Sequence, residues 1–386
     1  MRILLWAPFG AGEHYWGPGT SAYRLFGCSL LENITLDLAH GFENQKDPKN
    51  IFSKIFFISN LKQKRFFSTL KFLIYSWFFV YKHYKEYDVV YCLGAFEISF
   101  RPALWFESRG VRSFCKITDE KGGIKEHSFI SRVFGISNNR RKRINDISGY
   151  ISISSKIRDL LLDIGVHPEK IFYIPNGVNT DTFKPANNEY EKEILRKRYG
   201  FNINQFIVLF VGGISARKRP FELIKVFHEL LYSNEIPNIH LILLGPDRSG
   251  KEKLLETINI FIDNNNIGNF ITHFEHSHNP QDFYRMADIF VLPSLSEGLS
   301  NAVLEAASSG LPSIVSPSSG MNDIISQNKN GFIVELSNFN DKIRFYALNR
   351  DLLKIHGNNA RNTIINKFDS KNVLIKLIHV FSNDNI

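Results

Sequence analysis

The sequence predicts an α/β protein made of two doubly wound domains. Apolar runs of strand length alternate with helical patterns along the chain, which is typical of parallel sheets covered by helices. A length of 386 residues leaves room for about two domains. The composition, 44% hydrophobic and 22% charged, is that of a folded protein and excludes a disordered or collagen-like chain.

Each half of the chain carries its own set of strands and helices. In the first half the predicted strands are residues 3–7, 55–58, 88–92, 113–117, 149–153 and 171–174. In the second half they are residues 207–211, 240–244, 271–274, 289–292, 313–315 and 331–334, with helices that include 220–231, 301–308 and 352–368. The polar stretch 184–204 has no strand pattern, so we place the join there. The predicted domains are residues 1–186 and 187–365, followed by a C-terminal helix at 366–386 that can pack back on the first domain.

The net charge of +9 belongs entirely to the first half of the chain. Residues 1–186 carry 26 basic and 17 acidic side chains, a difference of +9, whereas residues 187–386 carry 21 of each. An anionic partner is therefore expected to meet the first domain. No zinc-finger, helix-turn-helix or aromatic stacking pattern accompanies the charge, so nucleic acid is not a predicted partner.

The cysteines and the apolar runs argue against a disulfide-rich, zinc-binding, secreted or membrane-spanning protein. Cys28, Cys92 and Cys115 are too few and too scattered for a disulfide framework or a zinc site, and we expect core residues of a reducing compartment. Pro8 interrupts the apolar start early, which predicts a first strand rather than a secretory signal. The longest apolar run, residues 72–81, is too short to span a membrane.

Residues 292–312 (LPSLSEGLSNAVLEAASSGLP) predict a ligand-binding turn between a strand and a helix. Ser300 and Asn301 are good N-caps, and the backbone N–H groups and dipole at a helix start favour a phosphate. Glu297 in the loop and Glu305 further along the helix can then reach a sugar hydroxyl and a ribose. The alternative is that Glu297 only caps the helix and Glu305 is a solvated helix residue.

This segment resembles the E-x7-E signature of the retaining nucleotide-sugar glycosyltransferases of family 4, also called glycosyl transferases group 1. Three further segments match the same family in the same order, and they are residues 152–185, 210–220 (FVGGISARKRP) and 283–294 (FYRMADIFVLPS), followed by Gly320, Asp323 and Gly331. The resemblance implies the GT-B fold, in which two Rossmann-like domains face each other across a cleft. It also implies that the second domain binds a nucleoside-diphosphate sugar, the co-substrate, and the first domain the acceptor. Transfer would retain the anomeric configuration and require no metal or other cofactor.

The resemblance also assigns the donor-side residues. Glu297 would hold the transferred sugar and Glu305 the ribose. The backbone N–H groups that would hold the diphosphate are those of Gly298, Leu299, Ser300 and Asn301. Lys218 matches the lysine that serves the diphosphate in the family, whereas Gly213 stands where the family usually has an arginine, so Arg217 or Arg219 would substitute for it.

Residues 8–20 form a glycine-rich loop after the first strand. Tyr15 stands at the third glycine position of the dinucleotide-binding fingerprint, so that motif fails. In the family a flexible loop lies here, near donor phosphate and acceptor, and Gly17, Gly19 and Thr20 match it. His14 is either a catalytic residue or an ordinary exposed side chain.

Two further loops resemble known sites only in part. Residues 245–251 (GPDRSGK) begin like a P-loop, but Glu252 stands where magnesium binding needs Ser or Thr, so we expect a loop near the donor base. Many relatives have a histidine in a turn after the fourth strand, whereas this chain has Thr118, Asp119 and Glu120 there. His127 lies too far along to match, so the acceptor side has no assigned catalytic residue.

Residues 62–85 combine the basic residues Lys62, Lys64, Arg65, Lys71, Lys82 and Lys85 with many aromatic side chains. This pattern favours a helix lying on an anionic membrane surface, and the basic run 140–143 could add to it. The alternative is a helix that covers the first sheet.

The sequence therefore predicts a cytoplasmic glycosyltransferase bound peripherally to the inner face of the cell membrane. Its expected acceptor is a lipid-linked saccharide or lipopolysaccharide in surface-polysaccharide biosynthesis. The alternatives are a nucleotide-sugar epimerase or hydrolase on the same fold, and a catalytically silent GT-B partner subunit.

Overall fold

The computed structural model describes residues 1–13, 17–27, 33–61, 66–118, 142–233, 235–236 and 238–382. The chain divides into two compact units. The first unit comprises Met1–Gly177 and Ser370–Ile386, and the second comprises Val178–Asp369. Each unit contains one parallel sheet with helices packed on it, so the predicted α/β class is confirmed.

The sheet of the first unit has the strand order β3-β2-β1-β4-β5-β6-β7, and all of its strand pairs are parallel. The strands are β1 (Arg2–Ala7), β2 (Thr35–His40), β3 (Ile55–Phe57), β4 (Val89–Leu93), β5 (Arg112–Ile117), β6 (Gly149–Ser152) and β7 (Ile171–Tyr173). The helices are α1 (Gly17–Phe26), α2 (Phe66–His83), α3 (Glu97–Glu107) and α4 (Ser155–Asp163), joined by α13 (Ser370–Ser382) from the C-terminal end.

Helices cover both faces of this sheet. On one face Trp6 of β1 packs against Phe72 of α2 and Phe106 of α3, with ring centroids 6.0 and 6.4 Å apart. On the other face α1 and α13 share an apolar core with the strands. Phe381 of α13 anchors it, because its ring centroid lies 5.0 Å from that of Phe114 on β5. The C-terminal helix is thus part of the first unit's core.

Strand β2 is missing from the strands that the sequence predicts, because Asp37 interrupts its apolar pattern. The carboxylate of Asp37 is fully buried, and it accepts hydrogen bonds from Arg2 Nη2 over 2.7 Å and from the Tyr87 hydroxyl over 3.1 Å. A buried carboxylate is tolerated only when it is paired in this way. Strand β2 therefore places a buried but hydrogen-bonded carboxylate inside the sheet.

The sheet of the second unit has the strand order β10-β9-β8-β11-β12-β13, again all parallel. Its strands are β8 (Phe206–Val211), β9 (Ile239–Leu244), β10 (Ile271–Phe274), β11 (Ile289–Leu292), β12 (Ser313–Val315) and β13 (Gly331–Ile333). Its helices are α5 (Glu189–Arg198), α6 (Pro220–Tyr232), α7 (Leu254–Asn264), α8 (Pro280–Met286), α9 (Asn301–Ser308), α10 (Met321–Ile324), α11 (Phe339–Leu348) and α12 (Arg350–Lys367). The strand order reverses between β8 and β11, and ligands of such sheets bind outside the carboxyl ends of the strands at this reversal.

The break between the units comes earlier than the join after residue 186 that the sequence suggests. The N–H group of Val178 donates to the Phe368 carbonyl over 2.9 Å, and the Thr180 hydroxyl donates to Asp369 over 2.6 Å. These bonds tie the segment after Gly177 to the end of α12, which places it in the second unit.

The polar stretch 184–204 contains helix α5, which Asp288 fastens to the second sheet. This buried carboxylate lies 2.7 Å from Lys192 Nζ and 2.8 Å from Arg196 Nη2, and it also accepts a hydrogen bond from the Ile207 N–H at the start of β8.

Among the helices that the structure describes, none is long and apolar enough to cross a membrane.

Candidate active site

The loop between β11 and α9, residues 293–300, lies at the carboxyl end of β11, beside the reversal in strand order. Ser300 caps α9 with an extended backbone, but its side chain makes no capping hydrogen bond. Gly320 lets a neighbouring segment approach this loop closely, since a Cβ there would collide with the Gly298 carbonyl and lie 2.9 Å from Leu299 Cα. The loop therefore leads from β11 into α9, as the sequence pattern predicts, and the segment around Gly320 packs on it.

Glu297 lies in this loop and is paired with two cations. Its Oε1 is 2.7 Å from Lys218 Nζ and 2.8 Å from Arg217 Nη1. The Glu297 and Lys218 side chains are only 11% and 13% exposed, whereas Arg217 is 53% exposed. Burial alone would raise the pKa of Glu297, but the ammonium of Lys218 and the guanidinium of Arg217 outweigh it and lower that pKa. The carboxylate is therefore ionised at neutral pH.

The two cations come from the loop between β8 and α6, residues 212–219, which is joined to the Glu297 loop by backbone contacts. The Leu295 N–H donates to the Arg217 carbonyl over 2.9 Å, and Arg217 Nη1 donates to the Ser296 carbonyl over 2.6 Å. Arg219 adopts a left-handed conformation with φ 55° at the residue before α6, and its side chain makes no capping hydrogen bond. The structure thus places Lys218 and Arg217 on Glu297 and leaves Arg219 at the helix start.

Glu305 is the fifth residue of α9, just over one turn into the helix. It is only 8% exposed, and its Oε2 accepts a hydrogen bond from the Tyr284 hydroxyl over 2.7 Å. The alternative of a solvated helix residue is wrong. Tyr284, itself buried in α8, is a site residue that the sequence does not single out, although it lies in the matching segment 283–294.

A fourth cation, Arg248, lies beside Gly213. A Cβ at Gly213 would be 3.0 Å from Arg248 Cδ and 3.2 Å from its Cγ. Arg248 belongs to the loop after β9, in the segment that begins like a P-loop. Sequence reasoning misses it because the two loops meet only when β8 and β9 pair, and that pairing is the signal that could have found it.

The predicted glycine-loop residues belong to the first unit. Gly17, Gly19 and Thr20 form the first turn of α1, where Gly19 and Thr20 are buried and Gly17 is exposed. Thr118 follows β5 directly. Several predicted residues lie outside the described residues, namely Cys28, His14, Tyr15, Lys62, Lys64, Arg65, Asp119, Glu120, His127, Arg140 and Arg141. In the described part of the chain, no group of three or more His, Cys, Asp or Glu side chains could hold a metal ion.

Comparison with known sequences identifies a matching family model and several curated relatives. Residues 191–363 match the family model described as glycosyl transferases group 1. The UDP-Gal:alpha-D-GlcNAc-diphosphoundecaprenol alpha-1,3-galactosyltransferase of Escherichia coli is 30% identical over 54% of this chain and 52% of its own length. The capsular polysaccharide biosynthesis glycosyltransferase CapM of Staphylococcus aureus is 27% identical over 51% of this chain and 50% of its own length. The chain thus spans about half the length of the curated relatives it matches.

Comparison with solved structures covers nearly the whole chain. Anabaena HepE in complex with UDP superposes with a TM-score of 0.78 at 17% identity, over 99% of this chain and 100% of its own. WaaG, a glycosyltransferase involved in lipopolysaccharide biosynthesis, gives a TM-score of 0.74 at 17% identity over the same shares. At this identity the likeness shows the fold. The two parallel-sheet units have the GT-B fold, and the second unit contains the segment, residues 191–363, that matches the glycosyl transferases group 1 model.

Proposed function

We propose that this protein is a retaining glycosyltransferase that uses a nucleoside-diphosphate sugar. The observation that carries the proposal is the ionised Glu297, held by Lys218 and Arg217 in the turn before α9. This turn combines a carboxylate for sugar hydroxyls with cations and a helix start for a diphosphate. It also lies at the reversal of strand order, where ligands of open parallel sheets bind.

The cations and the helix start have a direct role in the proposed reaction. The bond between the anomeric carbon and the diphosphate oxygen breaks, and its electron pair stays on that oxygen. The acceptor oxygen bonds to the anomeric carbon from the same face, and its proton passes to the leaving diphosphate. Lys218, Arg217 and the backbone N–H groups of residues 298–301 stabilise the charge that develops on the diphosphate, in a role that requires no metal.

The two glutamates would orient the donor. The Glu297 carboxylate accepts hydrogen bonds from hydroxyl groups of the transferred sugar. Glu305 accepts one from a ribose hydroxyl, with its carboxylate oriented by the Tyr284 hydroxyl. Such fixed polar groups discriminate against ligands that lack the matching hydroxyl.

We propose a lipid-linked saccharide or lipopolysaccharide as the acceptor, in surface-polysaccharide biosynthesis. The Escherichia coli relative is named for a diphosphoundecaprenol-linked acceptor and the Staphylococcus aureus relative for capsular polysaccharide, which supports this choice. The basic first half of the chain suits an acceptor that carries phosphate.

Helix α2 supports a peripheral position on the cytoplasmic face of the membrane. Its buried residues, Phe72, Ser76 and Val80, form one narrow stripe. Its exposed large apolar side chains are Phe66, Phe67, Leu70, Ile74, Tyr75, Trp77, Phe78 and Tyr81. The helix has no acidic residue, and Lys71 and Lys82 are exposed on it. An apolar face with aromatic side chains and flanking lysines is suited to an anionic lipid surface. The two interpretations of this segment are compatible, since α2 packs on the sheet with one side and exposes large apolar side chains on the other.

Vesicle flotation tests the membrane contact. The triple variant Phe67→Ser, Phe78→Ser, Tyr81→Ser should lose binding to vesicles that contain phosphatidylglycerol, because each change removes an exposed apolar side chain. Tyr232→Ser is the matched control, since Tyr232 is 77% exposed but lies in the second unit. Equal flotation of wild type and the triple variant would refute the membrane proposal.

A transfer assay tests the proposed reaction. Wild-type protein is incubated with UDP-, GDP- or ADP-sugars and a lipid-linked acceptor extracted from membranes, and the anomeric configuration of the product is read by NMR. We expect a product with the donor's configuration, and its loss in Glu297→Gln but not in Glu256→Gln, which changes an exposed glutamate of α7. Release of free or altered sugar without acceptor would favour the hydrolase or epimerase alternative. Absence of all donor turnover would favour the silent subunit.

A further inference from the structure

Arg248 reaches the loop of Lys218 from the neighbouring strand. Its stem lies on the backbone of Gly213, where a Cβ would meet Arg248 Cδ at 3.0 Å and Nε at 3.5 Å. A side chain at position 213 would therefore take the space that Arg248 fills. On the adjacent residue, a Cβ at Gly212 would lie 3.5 Å from the stem of Lys218. The aliphatic parts of Lys218 and Arg248 thus pack against two consecutive glycines, Gly212 and Gly213.

The placement of Arg248 follows from backbone pairing between the two loops. The Ile214 N–H donates to the Pro246 carbonyl and the Arg248 N–H donates to the Ile214 carbonyl, each over 2.9 Å. Gly245, with φ +147°, allows the close approach, because a Cβ there would collide with the Gly212 carbonyl. These contacts continue the pairing of β8 with β9 beyond the strand ends and fix where Arg248 begins.

The charged side chains near Gly213 differ in whether they already have a partner within the protein. Glu297 is paired with both Lys218 and Arg217, so these three side chains together carry one net positive charge. The Asp247 carboxylate is engaged by the N–H and hydroxyl of Ser249 at 2.8 and 2.6 Å. The exposed Arg248 side chain makes no hydrogen bond or ion pair with any residue that the structure describes. Its guanidinium is therefore available to a ligand.

We propose that Arg248 is a diphosphate-binding residue of the donor site, supplied from the β9 loop in place of a side chain at position 213. This inference rests on the proposed function and adds a residue to the same site. A diphosphate carries more than one negative charge, so the single net charge of the Glu297 cluster does not balance it. The guanidinium fork matches two phosphate oxygens at once, which an ammonium cannot do.

Nucleotide titrations by calorimetry test this role in the full-length protein. Wild type is titrated with UDP, GDP and ADP, and the nucleotide that binds is carried forward together with its nucleoside monophosphate. Arg248→Met should weaken binding of the diphosphate roughly tenfold or more, as the loss of a charged hydrogen bond does. The monophosphate should lose less, because it lacks the terminal phosphate. Lys251→Met, which removes an exposed charge from the same segment, should bind like wild type.

A second variant separates missing charge from a distorted loop. Arg248→Ala should weaken diphosphate binding like Arg248→Met, but it also removes the Cγ, Cδ and Nε atoms that fill the space beside position 213. Adding Gly213→Arg to Arg248→Ala should therefore restore most of the lost affinity. A double variant as weak as Arg248→Ala would show that the loop was distorted, and would overturn the proposal. So would equal affinity of wild type and Arg248→Met, or an equal loss for the diphosphate and the monophosphate, which would indicate a contact to the base. Wild type that binds none of the three diphosphates would refute the proposed function instead.

Discussion

The ion pair between Glu297 and Lys218 should stabilise the fold as well as the proposed site. Both side chains are nearly buried, and their charged atoms lie 2.7 Å apart. A charged hydrogen bond in such a place contributes about 1.5–3 kcal/mol. Removing Glu297 also leaves the Lys218 ammonium nearly buried and unpaired, so Glu297→Gln should lower the free energy of unfolding by about 2–3 kcal/mol. Lys218→Met should cost less, because Arg217 still pairs with Glu297.

A double-mutant cycle measures this pair by urea denaturation of the full chain. The double variant Glu297→Gln, Lys218→Met should be more stable than the sum of the single changes implies, with a coupling energy of about 1.5–3 kcal/mol. The pair of Glu193 and Lys197 on α5 is the matched control. Its atoms are also 2.7 Å apart, but Lys197 is 69% exposed, so its coupling should be about 0.5 kcal/mol or less. Equal coupling energies in the two cycles would refute the reasoning from burial.

Three further predictions follow from buried polar groups. Tyr284→Phe removes the hydroxyl that orients Glu305 and should weaken nucleotide binding in calorimetry while costing about 1 kcal/mol of unfolding free energy. Asp288→Asn should cost about 3–5 kcal/mol in urea denaturation, because Lys192 and Arg196 lose their buried partner. Burial alone would raise the pKa of Asp288, but these cations outweigh it and lower that pKa below the ordinary value of 3.8. The stability that Asp288 contributes to the fold should therefore be fully present above pH 3.8 and be lost as pH falls through the lowered pKa. Lys116 is 2% exposed, and burial lowers its pKa from 10.5 to about 8, so its charge destabilises the fold below pH 8. Lys116→Met should therefore raise the free energy of unfolding by about 3 kcal/mol at pH 7, and the gain should shrink as pH rises from 8 towards 10.5. Unchanged stability of any of these variants would contradict the corresponding assignment.

The sequence predicts most of the fold because hydrophobic periodicity reports burial directly. Helix α9 begins and ends at Asn301 and Ser308, as the capping pattern indicates. Strand β2 escapes the same reasoning because its buried Asp37 is compensated by residues distant in sequence. The end of the first unit escapes it too, since Thr180 is held by Asp369 through a contact that no local pattern encodes.

The candidate site is predictable only in so far as it is local. The sequence predicts the turn that contains Glu297, and it also predicts the cations Lys218 and Arg217. It does not predict that both cations pair with Glu297. The burial of Glu305 depends on Tyr284 in another helix. The position of Arg248 depends on the pairing of two strands. These contacts join segments that are separate in sequence, so they exist only in the folded domain.

The central claim is that the turn before α9 binds a nucleoside-diphosphate sugar. A thermal-shift screen of UDP-, GDP- and ADP-sugars on wild type and Glu305→Ala tests it most directly. A donor at a hundred times its dissociation constant should stabilise the wild type by about 2.7 kcal/mol, and the account predicts a shift for one donor that Glu305→Ala loses. A shift that is the same in wild type and Glu305→Ala, or none with any donor, would contradict it.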